Sequence, residues 1–409
     1  MKRCTVHVVV PGRRARAPRA TLALLVALVA CASEPQKNEP PDGWKAYEKG
    51  NFEQAQAEFQ KAGDQHGLGR LKLQNFDFVG ARQHLLHATT NEAKNDLALS
   101  YLLEGDFANA AELFAALKQD EYVKLLNAFT KPPYQIDQPR ETVLIPLAAT
   151  DPLPILEVSV NGEGPYYFFI DTGAAEIFVD KKVCRRHDIR ILGKQTGTFA
   201  GGVAATIEMA KIDSLQIGEV TIRDLPASVM DIEGFSNLLK HPVHGIIGTH
   251  VLMRFLSTID YKNGRLILSR KTAPPPQGVN IPFVLVGDHF ILARGKLNHY
   301  PLMWFVDTGL VGAGLTATID AIKNAGITVK EAPQSGQGGG GRLTITPFKV
   351  SSVSLGDLRR ENMLGFAGAF PQNLERRYRV RIEGILSHLF FRPGSLTFDF
   401  NRMMLIYRE

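Results

Sequence analysis

The chain has 409 residues, enough for two or three domains, and its 44% hydrophobic and 22% charged residues are those of an ordinary globular protein. Its formal charge of +6 is unevenly placed: Lys2, Arg3, Arg13, Arg14, Arg16 and Arg19 lie in the first thirty residues, which hold no acid. Removing those six of the 47 basic residues leaves 41, matching the 41 acidic ones, so the remainder lacks the electrostatic footprint of a nucleic-acid binder.

The basic segment opens an export signal over residues 1–30. Its apolar core, Leu22 to Val29, is too short to span a bilayer. The core ends Leu28-Val29-Ala30-Cys31, which resembles the lipobox of bacterial lipoproteins. That resemblance implies cleavage before Cys31, lipidation of its thiol, and attachment to a membrane of the bacterial cell envelope. Ala32 and Ser33 carry no acidic retention signal, which points to the periplasmic face of the outer membrane. A plain secretory signal, with Cys31 incidental, is the alternative. With Cys4 removed and Cys31 lipidated, Cys184 has no partner for an internal disulfide and reads as a buried apolar residue.

Residues 31–43 are polar and bear prolines, as a tether does. Residues 44–130 then change to helical periodicity. Phe52, Phe78 and Phe107 are followed three positions later by Ala55, Ala81 and Ala110, and four further on by Phe59, Leu85 and Phe114. Spacings of i, i+3 and i+7 make one stripe of a helix. With Gly50-Asn51 and Gly105-Asp106 as turns, the pattern resembles tetratricopeptide-type repeats, at intervals shorter than about 34 residues. Two readings stand side by side: a solenoid that binds a peptide or protein partner, and a helical spacer that packs on the next domain. His84 and His87, three apart on one helix, read as solvated surface residues.

Residues 130–141 read as a linker. Short β-type runs follow: Val143–Leu147, Ile155–Val160, Tyr166–Ile170, Ile212–Ile217, Leu256–Asp260 and Leu266–Leu268. A second, proline-rich linker spans 272–280, and the β pattern then restarts. The restart is a repeat, so the sequence predicts one β lobe over 142–271 and another over 281–409. Pro146 and Pro282 each sit in an opening apolar strand. Asp171 and Asp307 lie 136 positions apart, Gly218 and Gly356 lie 138 apart, and Gly245 and Gly384 lie 139 apart. Two homologous lobes in one chain form a pseudo-dimer whose equivalent turns can meet on its axis.

The equivalent turns are Phe168-Phe169-Ile170-Asp171-Thr172-Gly173-Ala174 and Trp304-Phe305-Val306-Asp307-Thr308-Gly309-Leu310. A fixed tripeptide is expected only about 0.1 times in a chain of this length. Two carboxylates about 3 Å apart cannot both ionise cheaply and share a proton, behaviour for which aspartic proteases are the standard illustration. The ionised member then activates a water while its partner protonates the scissile carbonyl. Gly173 and Gly309 permit the tight turn.

From residue 142 to 409 the chain resembles the aspartic proteases, and the retropepsins more than the pepsins. The resemblance rests on apolar-apolar-Asp-Thr-Gly, a later glycine-rich segment, and a distal apolar-apolar-Gly in each lobe. It implies an all-α helical repeat region followed by two mainly-β pepsin/retropepsin-like lobes, with Asp171 and Asp307 as the catalytic pair. Thr172 and Thr308 would hydrogen-bond across the axis, and Ala174 and Leu310 complete the turns. Phe199, Gly201 and Gly202 fall in one candidate flap; Gly338, Gly339 and Gly340 fall in the other. The distal motifs are Ile246-Ile247-Gly248 and Ile385-Leu386-Ser387. The implied partner is an extended peptide or protein substrate, and no metal or organic cofactor is implied. Ser387 departs from the usual glycine. Ala174 and Leu310 replace the hydroxyl residue common in pepsins, which predicts an activity optimum between about pH 4 and 6.5. A catalytically silent binder of peptides or of an envelope partner is the rival reading, and pairing of lobes between chains is a third. Zinc, phosphate-loop and serine-nucleophile motifs do not occur, and Ser387-His388, adjacent in sequence, makes no triad.

Overall fold

A computed structural model describes residues 41–87, 89–198, 204–338, 341–368 and 378–409. Residues 1–40, which hold the expected export signal, Cys31 and most of the expected tether, lie outside them.

Seven helices come first: α1 (Asp42–Glu48), α2 (Phe52–Ala62), α3 (Gln65–Gln74), α4 (Phe78–Leu85), α5 (Asn91–Glu104), α6 (Phe107–Ala116) and α7 (Asp120–Asn127). Consecutive helices pack as hairpins, α1 on α2, α3 on α4 and α5 on α6. The predicted stripe is their seam. Ala55, Ala81 and Ala110 are completely buried, and so nearly are Phe59, Leu85 and Phe114, each large side chain stabilising the stack by about 1.5–3 kcal/mol. Asp77 and Asp106 cap α4 and α6 by accepting the N–H of Gly80 and Asn109.

Two positions before each stripe phenylalanine, the backbone turns through the left-handed region: Gly50 at φ 71°, Phe76 at φ 62° and Gly105 at φ 95°. A phenylalanine holds that conformation at a cost. Its ring packs on Phe78 and on Phe400 of the second β half, at centroid distances of 5.0 and 5.6 Å. The middle hairpin therefore departs from its neighbours where it docks.

The segment expected to be a linker contains a strand. β1 (Gln135–Asp137) pairs antiparallel with β8 (Val220–Met230), and Tyr134, just before it, stacks under Arg254 at 4.3 Å. Three polar or mixed residues carry no periodicity, so only the partner strand defines them.

The first β half runs β2 (Thr142–Ala149), β3 (Ile155–Val160), β4 (Glu163–Ile170), β5 (Ile177–Asp180), α8 (Lys181–Arg186), β6 (Ile191–Thr198), β7 (Ala204–Ile217), β8, α9 (Glu233–Leu239), β9 (Gly245–Ile247), α10 (Thr249–Leu252), β10 (Leu256–Asp260) and β11 (Arg265–Ser269). The second runs β12 (Val279–Val286), β13 (Phe290–Leu297), β14 (Tyr300–Asp307), β15 (Leu315–Ala317), α11 (Ile319–Asn324), β16 (Gln334–Gly338), β17 (Gly341–Leu355), β18 (Leu358–Ala367), β19 (Gly384–Ser387), α12 (His388–Phe391), β20 (Ser395–Asp399) and β21 (Met404–Arg408). Among the described residues the order matches element by element, α9 excepted.

A six-stranded antiparallel sheet, β2-β11-β10-β20-β21-β12, joins the halves. Its centre is the point of equivalence. Thr258 faces Thr397, its counterpart 139 positions on, and their hydroxyls lie 2.7 Å apart. Pro146 and Pro282 sit in the two outermost strands of this sheet, β2 and β12, where proline is tolerated. Cys184 is buried in α8, and burial pushes its thiol up to about 12.

The helical region lies against both halves. Arg254 donates to the Leu103 carbonyl (3.2 Å) from the first half. From the second, Arg294 donates to the Gly50 carbonyl (2.6 Å), and the backbone N–H of Arg381 donates to the Glu48 carbonyl (2.7 Å).

Candidate active site

Each Asp-Thr-Gly turn follows a strand buried by its own neighbours. β4 runs parallel to β9, with Phe169 opposite Ile246 and Ile170 opposite Ile247. β14 runs parallel to β19, with Phe305 opposite Ile385 and Val306 opposite Leu386. The distal motifs thus lie directly beside the strands that deliver the aspartates. Ile247 and Leu386 are fully buried in the core, whereas Ile246 and Ile385 line the cleft. The Asp171 N–H donates to the Ile247 carbonyl at 3.0 Å.

The two turns are fastened by exchange. The Thr172 N–H donates to Thr308 Oγ1 (3.0 Å), and the Thr308 N–H donates to Thr172 Oγ1 (3.1 Å). Each hydroxyl donates onward into the opposite half, Thr172 to the Val306 carbonyl (2.7 Å) and Thr308 to the Ile170 carbonyl (3.1 Å). Both threonines are completely buried, so these four bonds are made without competition from water.

This fixes where the carboxyls point. The Gly173 N–H donates to Asp171 Oδ1 (2.7 Å) and the Gly309 N–H to Asp307 Oδ1 (2.8 Å). Each carboxyl also lies over the opposite glycine. A Cβ on Gly173 would sit 2.8 Å from the Asp307 carboxyl, and one on Gly309 within 2.5 Å of the Asp171 carboxyl. Glycine is needed because the carboxyl occupies the space a side chain would take. The two carboxyls lie close enough for the charge of Asp307 to act on Asp171. Desolvation at the cleft floor pushes both above the ordinary carboxylate range, Asp171 furthest, with the Asp307 charge adding to its shift. The glycine N–H bonds pull the other way. Burial thus favours the protonated form of each carboxyl.

Ser387 is accommodated by a difference in loop length. Six positions separate Asp171 from the start of β5, but eight separate Asp307 from the start of β15. In the shorter loop, a Cβ on Gly248 would lie 2.1 Å from the Glu176 carbonyl. In the longer one Ser387 fits. Its hydroxyl donates to the Ala313 carbonyl (2.7 Å) and accepts from the Leu389 N–H (3.1 Å), capping α12. It makes no bond to His388, which burial holds neutral, its pKa pushed down to about 4.

A cleft of about 780 Å3 opens over both aspartates. The stems of two hairpins line it, β6–β7 through Thr196 and Ile207, and β16–β17 through Ser335 and Leu343. Gly338 ends β16, opposite Gly341. Phe199, Gly201, Gly202, Gly339 and Gly340 lie outside the described residues. Ala174 and Leu310 also line the cleft and offer the carboxyls no side-chain donor.

Sequence reasoning missed several cleft residues. Glu176 is almost fully buried, accepts from Ser228 Oγ (3.3 Å), and shares the cleft lining with Tyr122 of α7. Burial and the charge of Asp288 push it up to about 7. Asp288 and His289 come from the β12–β13 turn, with 2.7 Å between His289 Nδ1 and Asp288 Oδ1, and the charge of His289 favours ionised Asp307. Glu176, an acid three positions past Gly173, was the one local signal. The others are brought in by distant elements. Among the described residues no three His, Cys, Asp or Glu side chains are grouped to hold a metal ion.

Residues 156–251 match the model of a family described as aspartyl protease. The match runs from β3 into α10, and so takes in the first Asp-Thr-Gly turn and its distal motif. It supports an aspartic protease in general. A search of curated proteins finds no match. Among solved structures, a retropepsin-like aspartic protease from Rickettsia conorii is similar over 35% of this chain and 96% of its own, at 19% identity and a TM-score of 0.23. At that level of overlap the likeness adds nothing to the geometry.

Proposed function

We propose that this chain is an aspartic-type endopeptidase in which Asp171 and Asp307 together activate a water for attack on a peptide bond. The reciprocal Thr172–Thr308 bonding carries the proposal, because it sets each carboxyl over the glycine of the opposite half's turn. One shared proton provides both roles the reaction needs. The ionised carboxyl takes a proton from water, and the protonated one donates to the carbonyl oxygen as it gains charge. No covalent intermediate is required. The β6–β7 and β16–β17 stems over the cleft suit an extended peptide paired strand-like beneath them.

In the same reading the protein is lipid-anchored at Cys31 in the bacterial envelope, and α1–α7 are short tetratricopeptide-like hairpins. The test is a peptide library presented from pH 3 to 8 to the wild type and to Asp171→Asn and Asp307→Asn separately. Either substitution should abolish turnover, with wild-type activity greatest between about pH 4 and 6.5, since no hydroxyl side chain follows either Asp-Thr-Gly. A wild type that cuts nothing, or an Asn variant that still cuts, overturns the proposal.

A further inference from the structure

The cleft is not made by the two β halves alone. Leu99 and Leu102 of α5, Phe114 of α6 and Tyr122 of α7 line the same cavity as Asp171 and Asp307. The Tyr122 ring packs edge-on against Phe114 at 5.0 Å and lines the cleft together with Glu176, which lies on the loop that begins with Asp171. The next residue back, Glu121, accepts the Lys194 N–H of β6 through its carboxylate at 3.2 Å. One helix therefore both lines the cleft and holds a hairpin stem over it. Its attachment is internal to the site, which a mere spacer would not need.

We propose that α5–α7 form a subsite of the cleft that accepts a bulky apolar side chain of the peptide, with Leu99 setting its size and Tyr122 forming part of its wall. This rests on the endopeptidase reading. The lining offered by these helices is mainly aliphatic and aromatic, its polar members Asn95 and Gln119 hydrogen-bonding each other, and the subsite is continuous with the space over the two carboxyls. Leu99 is half-buried and faces that space, so its volume can be changed without emptying the helical core. Phe114 and Leu102, both buried, do not offer that freedom.

The experiment uses the full chain with Leu99→Ala and Leu99→Trp. Cleavage of a peptide library is profiled, and in parallel the Kd of the same peptides is measured on chains that also carry Asp171→Asn. Filling the subsite with tryptophan should lower kcat/KM for peptides with Phe or Leu at one position about tenfold while sparing those with Ala there. Emptying it with alanine should shift the preference at that same position toward larger residues. Kd should follow the same pattern. If the wild type cleaves and both variants, melting as the wild type does, keep its profile, the subsite is overturned and the endopeptidase reading stands. If the wild type cleaves nothing, that reading fails, and a size-dependent Kd that follows residue 99 still supports the subsite. Peptides that neither bind nor are cut overturn both.

Discussion

Replacing Thr172 with valine tests the joint between the halves without touching a carboxyl. Valine keeps the shape of threonine, so packing around the fully buried position is preserved and no cavity term arises. What is lost is the hydroxyl. The Thr308 N–H, now 3.1 Å from Oγ1, would be left a buried donor without a partner, at about 1–3 kcal/mol. The Val306 carbonyl would lose its 2.7 Å bond, about 1 kcal/mol more. The sum is about 2–4 kcal/mol. Thr172→Ser keeps the hydroxyl and removes one methyl group, about 1 kcal/mol. Urea unfolding should therefore give the valine variant a lower midpoint than the serine variant at an unchanged slope. Equal midpoints for the two would show that the exchanged bonds do not hold the halves together. The measurement needs no substrate and stands whatever the chain cleaves.

Three further outcomes follow from the same geometry. The folded-state pKa of Asp171 is raised, so the folded chain binds a proton more tightly there than the unfolded chain does, and its contribution to stability falls as pH rises above the unfolded value near 4. Asp171→Asn should therefore melt higher than the wild type at pH 7, with the gap closing toward pH 4; a constant gap across that range would contradict the assignment. Asp96 is buried between Arg70 (2.7 Å) and His66 (2.8 Å), and despite the opposing effect of burial the Arg70 charge holds its carboxyl below the usual range. Asp96→Ala leaves Arg70 buried and unpaired and should cost about 3–5 kcal/mol, read by thermal or chemical unfolding; a loss under about 1 kcal/mol would show the pair to be dispensable. Gly248→Ser should disrupt folding, because its Cβ would meet the Glu176 carbonyl at 2.1 Å, whereas Ser387→Gly should cost only about 1–2 kcal/mol for the lost hydroxyl bonds. Soluble expression and melting of the two variants compare them directly.

The parts legible in the sequence are those with local period or internal repetition. The alanine stripe at Ala55, Ala81 and Ala110 gave the helical seam because each hairpin buries the same three positions. The offsets between Asp171 and Asp307, and between Gly245 and Gly384, gave the equivalence of the halves because the matching strands keep their register. The β1 strand at 135–137 was not legible, since its pairing with residues 221–223 leaves no mark on three mixed residues. Tyr122 could not be connected with Glu176, 54 positions away, because their shared place on the cleft wall depends on how α7 docks. Phe76 stands where the other two turns carry Gly50 and Gly105, and its packing partner, Phe400, lies at the far end of the chain.

The pairing of Thr258 with Thr397 has a consequence for biosynthesis. Until β20 emerges, β10 has one neighbour, β11, and its other edge presents unpaired N–H and C=O groups. A nascent first half thus waits more than 100 residues of synthesis with an open strand edge whose proper partner has nearly its own geometry. A second nascent copy offers the same edge and the same geometry. Chains truncated after β11 should then close on one another, and the segment between β11 and β12 is the tether that keeps the correct partner at high effective concentration.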